Sequence, residues 1–209
     1  MRRFRFWPRM ALVFAVGVMH GGCILIPEIK DRIVELALTG TTTQSFVASG
    51  VVNVYADSIT VDLGSEIDLA TILADARVDP SDVSQIMLSG VSYRVVVPDP
   101  NPGRHIDGDI YVHRQGLTEH ALVTGLSEDV NAVTGFKTAT LDANGVADLN
   151  NLLAELLEEL KSGGAIPANK IVTFAAYGTS SPTDASTSFT WELKITVGVV
   201  GTVQVSVPT

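Results

Sequence analysis

The side chains best suited to chemistry lie in RHIDGDIYVH, residues 104–113, where His105, Asp107, Asp109 and His113 share parity. On a continuous strand they project from one face, and two imidazoles with two carboxylates are ligand types for a divalent cation. Spacing argues against a single centre. Same-face neighbours on a strand stand ~6.6–6.8 Å apart, so the four span too much for one ion. The sequence therefore predicts a solvated strand face, with Ile106, Ile110 and Val112 packing on the opposite side.

Other constellations are weaker. DANGVAD, residues 142–148, offers oxygens from Asp142, Asn144 and Asp148 and a turn at Gly145, and it faintly resembles the calcium loops of dockerins and EF-hands. It is too short and lacks both the third oxygen ligand before the glycine and the distal glutamate, so a turn leading into a capped helix is expected instead. DPNP, Asp99 to Pro102, adds oxygens only if the fold brings it near. No G-x-S-x-G elbow and no phosphate loop of the G-x-x-x-x-G-K type is present. A Ser/His/Asp triad assembles in space, and the sequence neither places nor excludes one around His105, His113 or His120. Glu66 and Asp68 look like helix-cap residues, and Glu155, Glu158 and Glu159 like a solvated helix face. Trp191 sits at apolar parity within a strand and is expected in the core, so no clustered aromatic platform for sugars is visible. No catalytic residue, cofactor or metal is assigned.

The elements that must position these residues are mostly strands. IVELALTG alternates, with Val34, Leu36 and Leu38 opposite Glu35, and TTTQSFVASGVVNVYADSITVDLG continues in β-forming residues. QIMLSGVSYRVVV places Met87, Val91, Tyr93, Val95 and Val97 at one parity. SFTWELKITVGVV does the same for Phe189, Trp191, Leu193, Ile195 and Val197. Helical spacing of Ile67, Leu69, Ile72, Leu73 and Ala76 predicts a helix over 66–77, N-capped by Ser65. A stripe of Val146, Leu149, Leu152, Leu153, Leu156, Leu157 and Leu160 predicts a second over 146–161, with Gly163 past its end. Many short strands with two helices indicate a mainly β fold, a two-sheet, jelly-roll-like β-sandwich.

The N-terminus carries a different message. Met1–Arg9 holds four arginines and no acid, Met10–Met19 is uncharged, and Gly21-Gly22 precede Cys23, the lone cysteine. That is the three-part pattern of a secretory signal, and a ten-residue apolar run is too short to span a membrane, which takes ~20. Gly21-Gly22-Cys23 resembles the end of the lipobox of bacterial lipoproteins, with His20 at its leucine position. The resemblance covers about the first tenth of the chain. It implies removal of residues 1–22, a thioether-linked diacylglycerol on Cys23 and an acylated N-terminus. It would also account for an exported cysteine with no disulfide partner.

Removing residues 1–22 leaves ten Lys/Arg against 23 Asp/Glu, a net charge of −13. Nucleic acid is excluded as a partner on that charge, since phosphate binding needs clustered basic side chains. The expected organisation is a signal peptide at 1–22, a lipidated tether at 23–32 and one sandwich domain at 33–209. By analogy with lipoproteins of two-membrane bacteria, Ile24 after the cysteine favours the outer membrane. The expected role is a non-enzymatic binding or assembly component of the cell envelope, with the membrane and an envelope protein as partners. The alternatives are a secreted carbohydrate- or calcium-binding module, an enzyme of unseen class, or a structural subunit joined through edge strands.

Overall fold

Alternation of apolar and polar residues is obeyed along most strands, and two antiparallel sheets result. The computed structural model describes residues 31–51, 54–97, 104–130, 133–163, 170–182 and 186–206. The leader, Cys23 and the Asp99–Pro102 loop lie outside the described residues. The chain runs β1 (Asp31–Val51), β2 (Val54–Asp62), α1 (Leu63–Glu66), α2 (Leu69–Asp75), β3 (Val83–Val96), β4 (His105–Arg114) and β5 (His120–Asp129). It continues through β6 (Lys137–Thr138), β7 (Thr140–Leu141), α3 (Ala143–Lys161), β8 (Ile171–Ser181) and β9 (Ser186–Ser206). One sheet has the order β1-β9-β3-β6, the other β2-β8-β4-β5-β7. With most successive strands crossing between sheets, this is the double-sheet jelly-roll arrangement.

The core lies between the sheets. Phe189, Trp191, Leu193, Ile195 and Val197 of β9 are all buried, as their shared parity predicts. In β3 the single-parity expectation is corrected. Register shifts after Leu88, where Ser89 is the extra residue. A bulge of this kind reverses which side chains face inward. Ile86 and Leu88 are buried before it, Val91, Val95 and Val97 after it, and Met87 is only half-buried.

Two long strands were legible only as fragments. β1 passes straight through Gly40 and Gly50, paired with β9 from Asp31↔Ser206 to Val51↔Ser186. It therefore begins inside the stretch expected to be tether. Pairing of β3 with β9 starts at Val83↔Gly201, so Asp31–Glu35 and Thr202–Ser206 extend past it as a two-stranded ribbon. Asp57 on β2 covers part of the exposed β1 edge, its Oδ2 accepting from the Val47 N–H at 2.7 Å.

The helix expected over 66–77 is two pieces, each capped by an aspartate in place of Ser65. Asp62 accepts from Gly64 N–H at 2.9 Å and Asp68 from Thr71 N–H at 3.0 Å. α3 is the expected leucine helix with three more residues at its start. Leu149, Leu152, Leu153, Leu156 and Leu157 are buried against its own sandwich, chiefly β3 and β5. Gly163 follows it at φ +69°, in the left-handed conformation glycine tolerates. Asn144-Gly145 is not a turn but the first turn of the helix. A Cβ at Gly145 would collide with the Ala121 carbonyl and lie 2.7 Å from Leu122 Cα, so glycine permits α3 to press on β5. Glu155 does not simply face solvent. Its oxygens take Arg114 at 3.0 and 2.8 Å and Lys170 at 3.0 Å, and the Arg114 bond leads in pulling its pKa down to about 2.

Candidate functional site

β4 lies mid-sheet between β8 and β5, and this sets what its chemistry-bearing residues meet. Ile106, Ile110 and Val112 are buried inward, so His105, Asp107, Asp109, Tyr111 and His113 stand on the outer face. The register lays that face out in rows. His105 lies between Ser181 and Asp129, Asp107 between Thr179 and Ser127, and Asp109 opposite Tyr177. Tyr111 stands opposite Ala175, and His113 opposite Thr173.

The four residues singled out in RHIDGDIYVH share a face but not a centre. His105 Nε2 is 3.2 Å from Asp107 Oδ1. Asp109 instead turns to the backbone, where Oδ1 accepts from Gly125 N–H at 2.8 Å. His113 lies rows away, opposite Thr173. Among the described residues no group of three or more His, Cys, Asp and Glu side chains is placed to hold a metal ion. The two DANGVAD carboxylates are engaged as well. Asp142 caps α3 by accepting from Asn144 N–H at 2.9 Å, and Asp148 Oδ2 lies 2.7 Å from His120 Nδ1.

Ser127 and Asp129 could not be found from sequence, because β5 brings them to His105 only through pairing. His105 Nδ1 lies 2.8 Å from Asp129 Oδ1, and Nε2 lies 2.9 Å from Ser127 Oγ. The order nucleophile, imidazole, carboxylate matches a serine triad. Asp129 foremost, then Asp107, raises the imidazole above its ordinary pKa, against the lowering effect of its partial burial. The cluster links β4 to β5 across the outer face of the sheet.

Beside it lies a shallow groove of about 320 Å³, lined by Asp107, Asp109, Ser127, Tyr177, Thr179 and glycines at 108, 125 and 178. On the core side of its strands, two of these glycines make room for Tyr55. Gly178 is paired with both Tyr55 and Gly108, and beneath the two glycines runs the Tyr55 side chain. A Cβ at Gly178 would strike Tyr55 and the Asp107 carbonyl, and one at Gly108 would lie 2.9 Å from the Tyr177 carbonyl. The Tyr55 hydroxyl donates to the Asp107 carbonyl at 2.9 Å and accepts from Trp191 Nε1–H at 2.7 Å. At the rim, β5 is irregular between Leu126 and Val123, with Gly125 at φ +70°. A bulge bends its strand, and such features re-aim side chains at binding sites.

An aromatic pair borders this groove. Tyr111 and Tyr177 meet edge-on, ring centroids 5.4 Å apart, and Tyr177 is 42% exposed. The sequence separates them by 66 positions, so only strand pairing joins them. At the end of the sandwich near His105, Arg104 is buried, with Nη1 donating to Ser180 Oγ at 3.1 Å.

No protein-family model matches the chain, and no curated protein matches it. Among solved structures, Desmodium yellow mottle tymovirus is similar at 12% identity and a TM-score of 0.35 over the whole of both chains. Infectious bursal disease virus, Gx strain, is similar at 12% identity and a TM-score of 0.27, over 86% of this chain and 36% of that one. Neither likeness bears on what this chain does.

Proposed function

We propose that the chain is an exported lipoprotein, anchored through diacylglycerol on Cys23 at the outer membrane, with a non-enzymatic binding or assembly role in the envelope. The observation that carries this reading is the leader pattern ending in Gly21-Gly22-Cys23, placed only seven residues before β1. Seven residues span at most ~25 Å, so such an anchor would hold the sandwich near the bilayer. Two or more acyl chains anchor stably where one binds marginally. Among the described residues no helix is long and apolar enough to cross a membrane.

Chain direction supports a binding role. Asp31 opens the ribbon at one end of β1, whereas His105 and Asp129 lie towards the other end, near Ser181 and the start of β9. At ~3.3 Å per residue the 21 residues of β1 extend for roughly 65–70 Å. A tether at Asp31 thus leaves the grooved face well away from the lipid.

The test is the intact mass of the full chain extracted from membranes, beside a Cys23→Ser variant. A chain starting at Cys23 with added acyl mass is expected, and Cys23→Ser should lack it. An unmodified wild-type chain in the soluble fraction overturns the proposal.

A further inference from the structure

Among the described residues, the side-chain polar atoms buried without a hydrogen-bond partner are Arg104 Nε, Arg104 Nη2 and Glu159 Oε2. Glu159 has its cation, because Oε1 lies 2.9 Å from Lys170 Nζ. Arg104 has no hydrogen-bonded counter-charge. Its side chain is 1% exposed and shares inward parity with Ile106, and Nη1 donates to the Ser180 hydroxyl at 3.1 Å. The buried carboxylate on the adjoining strand is Glu128, paired across from Ile106. Both its oxygens are taken by Lys137 Nζ, at 2.6 and 2.8 Å. A guanidinium cannot shed its charge in a protein, and a buried charge left without a partner is costly. A buried polar group of this kind calls for an ion or a ligand.

Which nitrogens lack partners decides the ligand. Nε–H and Nη2–H lie parallel along one edge of the planar guanidinium, and that fork matches a carboxylate with one oxygen per donor. The bond from Nη1 to Ser180 fixes the plane of the group, so the fork is held in one orientation. We propose that Arg104 binds a small carboxylate ligand side-on at this end of the sandwich. A monoanion balances the single guanidinium charge. A phosphate monoester carries more charge and more acceptor oxygens than one guanidinium edge satisfies. A halide balances the charge but does not use the two-donor geometry. Burial of Arg104 limits the ligand to a carboxylate on a short carbon stem. The site lies on the same side of the sandwich as His105, at the end of β1 opposite Asp31. The inference rests on the binding role proposed above and names a ligand chemistry for it.

The experiment is thermal melting of the full acylated chain, in non-ionic detergent and carboxylate-free buffer, with sodium acetate replacing sodium chloride at constant ionic strength. Once acetate saturates the fork, each further tenfold increase should raise Tm by roughly 3–6 °C. Arg104→Met should show no such rise. Without acetate it should melt no lower than the wild type, because an uncompensated buried charge has been replaced by an apolar side chain. Saturation transfer from the wild-type protein to the acetate methyl protons should be visible, and it needs no variant. No acetate-dependent rise in the wild type, no saturation transfer, or an equal rise in Arg104→Met overturns the assignment. So does a carboxylate of the chain itself filling the fork. Arg104→Met would then melt well below the wild type, and Asp99→Asn or Asp184→Asn, the acids adjoining Arg104 and Ser180 in sequence, would do the same. The intact mass of the same preparation reads acylation separately, so a failed ligand is distinguishable from a failed anchor.

Discussion

Replacing Tyr55 by phenylalanine should destabilise the sandwich out of proportion to the single oxygen removed. The hydroxyl is the acceptor for Trp191 Nε1–H, and Trp191 is fully buried. Without it the indole N–H keeps its desolvation cost and has no partner, which costs about 1–3 kcal/mol. At 2–4 °C per kcal/mol for a domain of this size, a loss near 2 kcal/mol lowers Tm by roughly 4–8 °C. Burial also pushes the Tyr55 phenol from 10.0 up to about 12. The folded state then holds that proton more tightly than the unfolded chain. The associated stability is fully present below pH 10 and is lost as pH rises through 12, to a total of about 3 kcal/mol. Thermal melts across alkaline pH, followed by far-ultraviolet circular dichroism, measure both effects. Tyr55→Phe should melt lower at neutral pH and show a shallower alkaline decline. In a Trp191→Phe background the same change should cost less than about 1 kcal/mol, because the stranded donor is gone. A Tyr55→Phe melting temperature within about 1 °C of the wild type would refute the reasoning.

Gly145→Ala should lower stability by about 1–3 kcal/mol although alanine is the better helix former, because the obstructing atoms are the backbone of Ala121 and Leu122. Chemical denaturation checks it, and an unchanged or raised midpoint would show that α3 moves aside freely. Asp57→Ala should free the Val47 N–H on the β1 edge and promote concentration-dependent self-association, with a stability change under about 1 kcal/mol. Sedimentation velocity at several concentrations reads this, and a single monomeric species for both proteins would argue that Asp57 does not guard the edge.

Strand parity was readable wherever one face of a strand is buried along its whole length. The β9 stripe from Phe189 to Val197 is the clearest case, and the α3 leucines are its helical counterpart. Burial imposes a period on the sequence, and that period survives without knowledge of partners. It failed at β3, because a bulge costs one residue and leaves no compositional mark beyond the Ser89-Gly90 pair. Helix 66–77 divided for a similar local reason. Two aspartates six positions apart, Asp62 and Asp68, each cap a different backbone N–H, of Gly64 and of Thr71, and each starts its own short piece.

The sequence by itself determined the two-sheet β class, the two amphipathic helical segments and the outward face carrying His105, Asp107, Asp109 and His113. Those follow from alternation, which one strand enforces alone. The leader pattern at Cys23 is likewise a property of contiguous residues, and it is the basis of the proposed anchor. Only the tertiary structure decided which outward residues meet. Ser127 and Asp129 reach His105, and Tyr177 reaches Tyr111, through pairings that cross 22 to 66 positions of chain. Only it, too, set Tyr55 against the core side of Gly108 and Gly178, so that two glycines with no turn to make became room for a buried phenol. Cross-strand neighbours depend on register and sheet order, which hydrophobic periodicity leaves free.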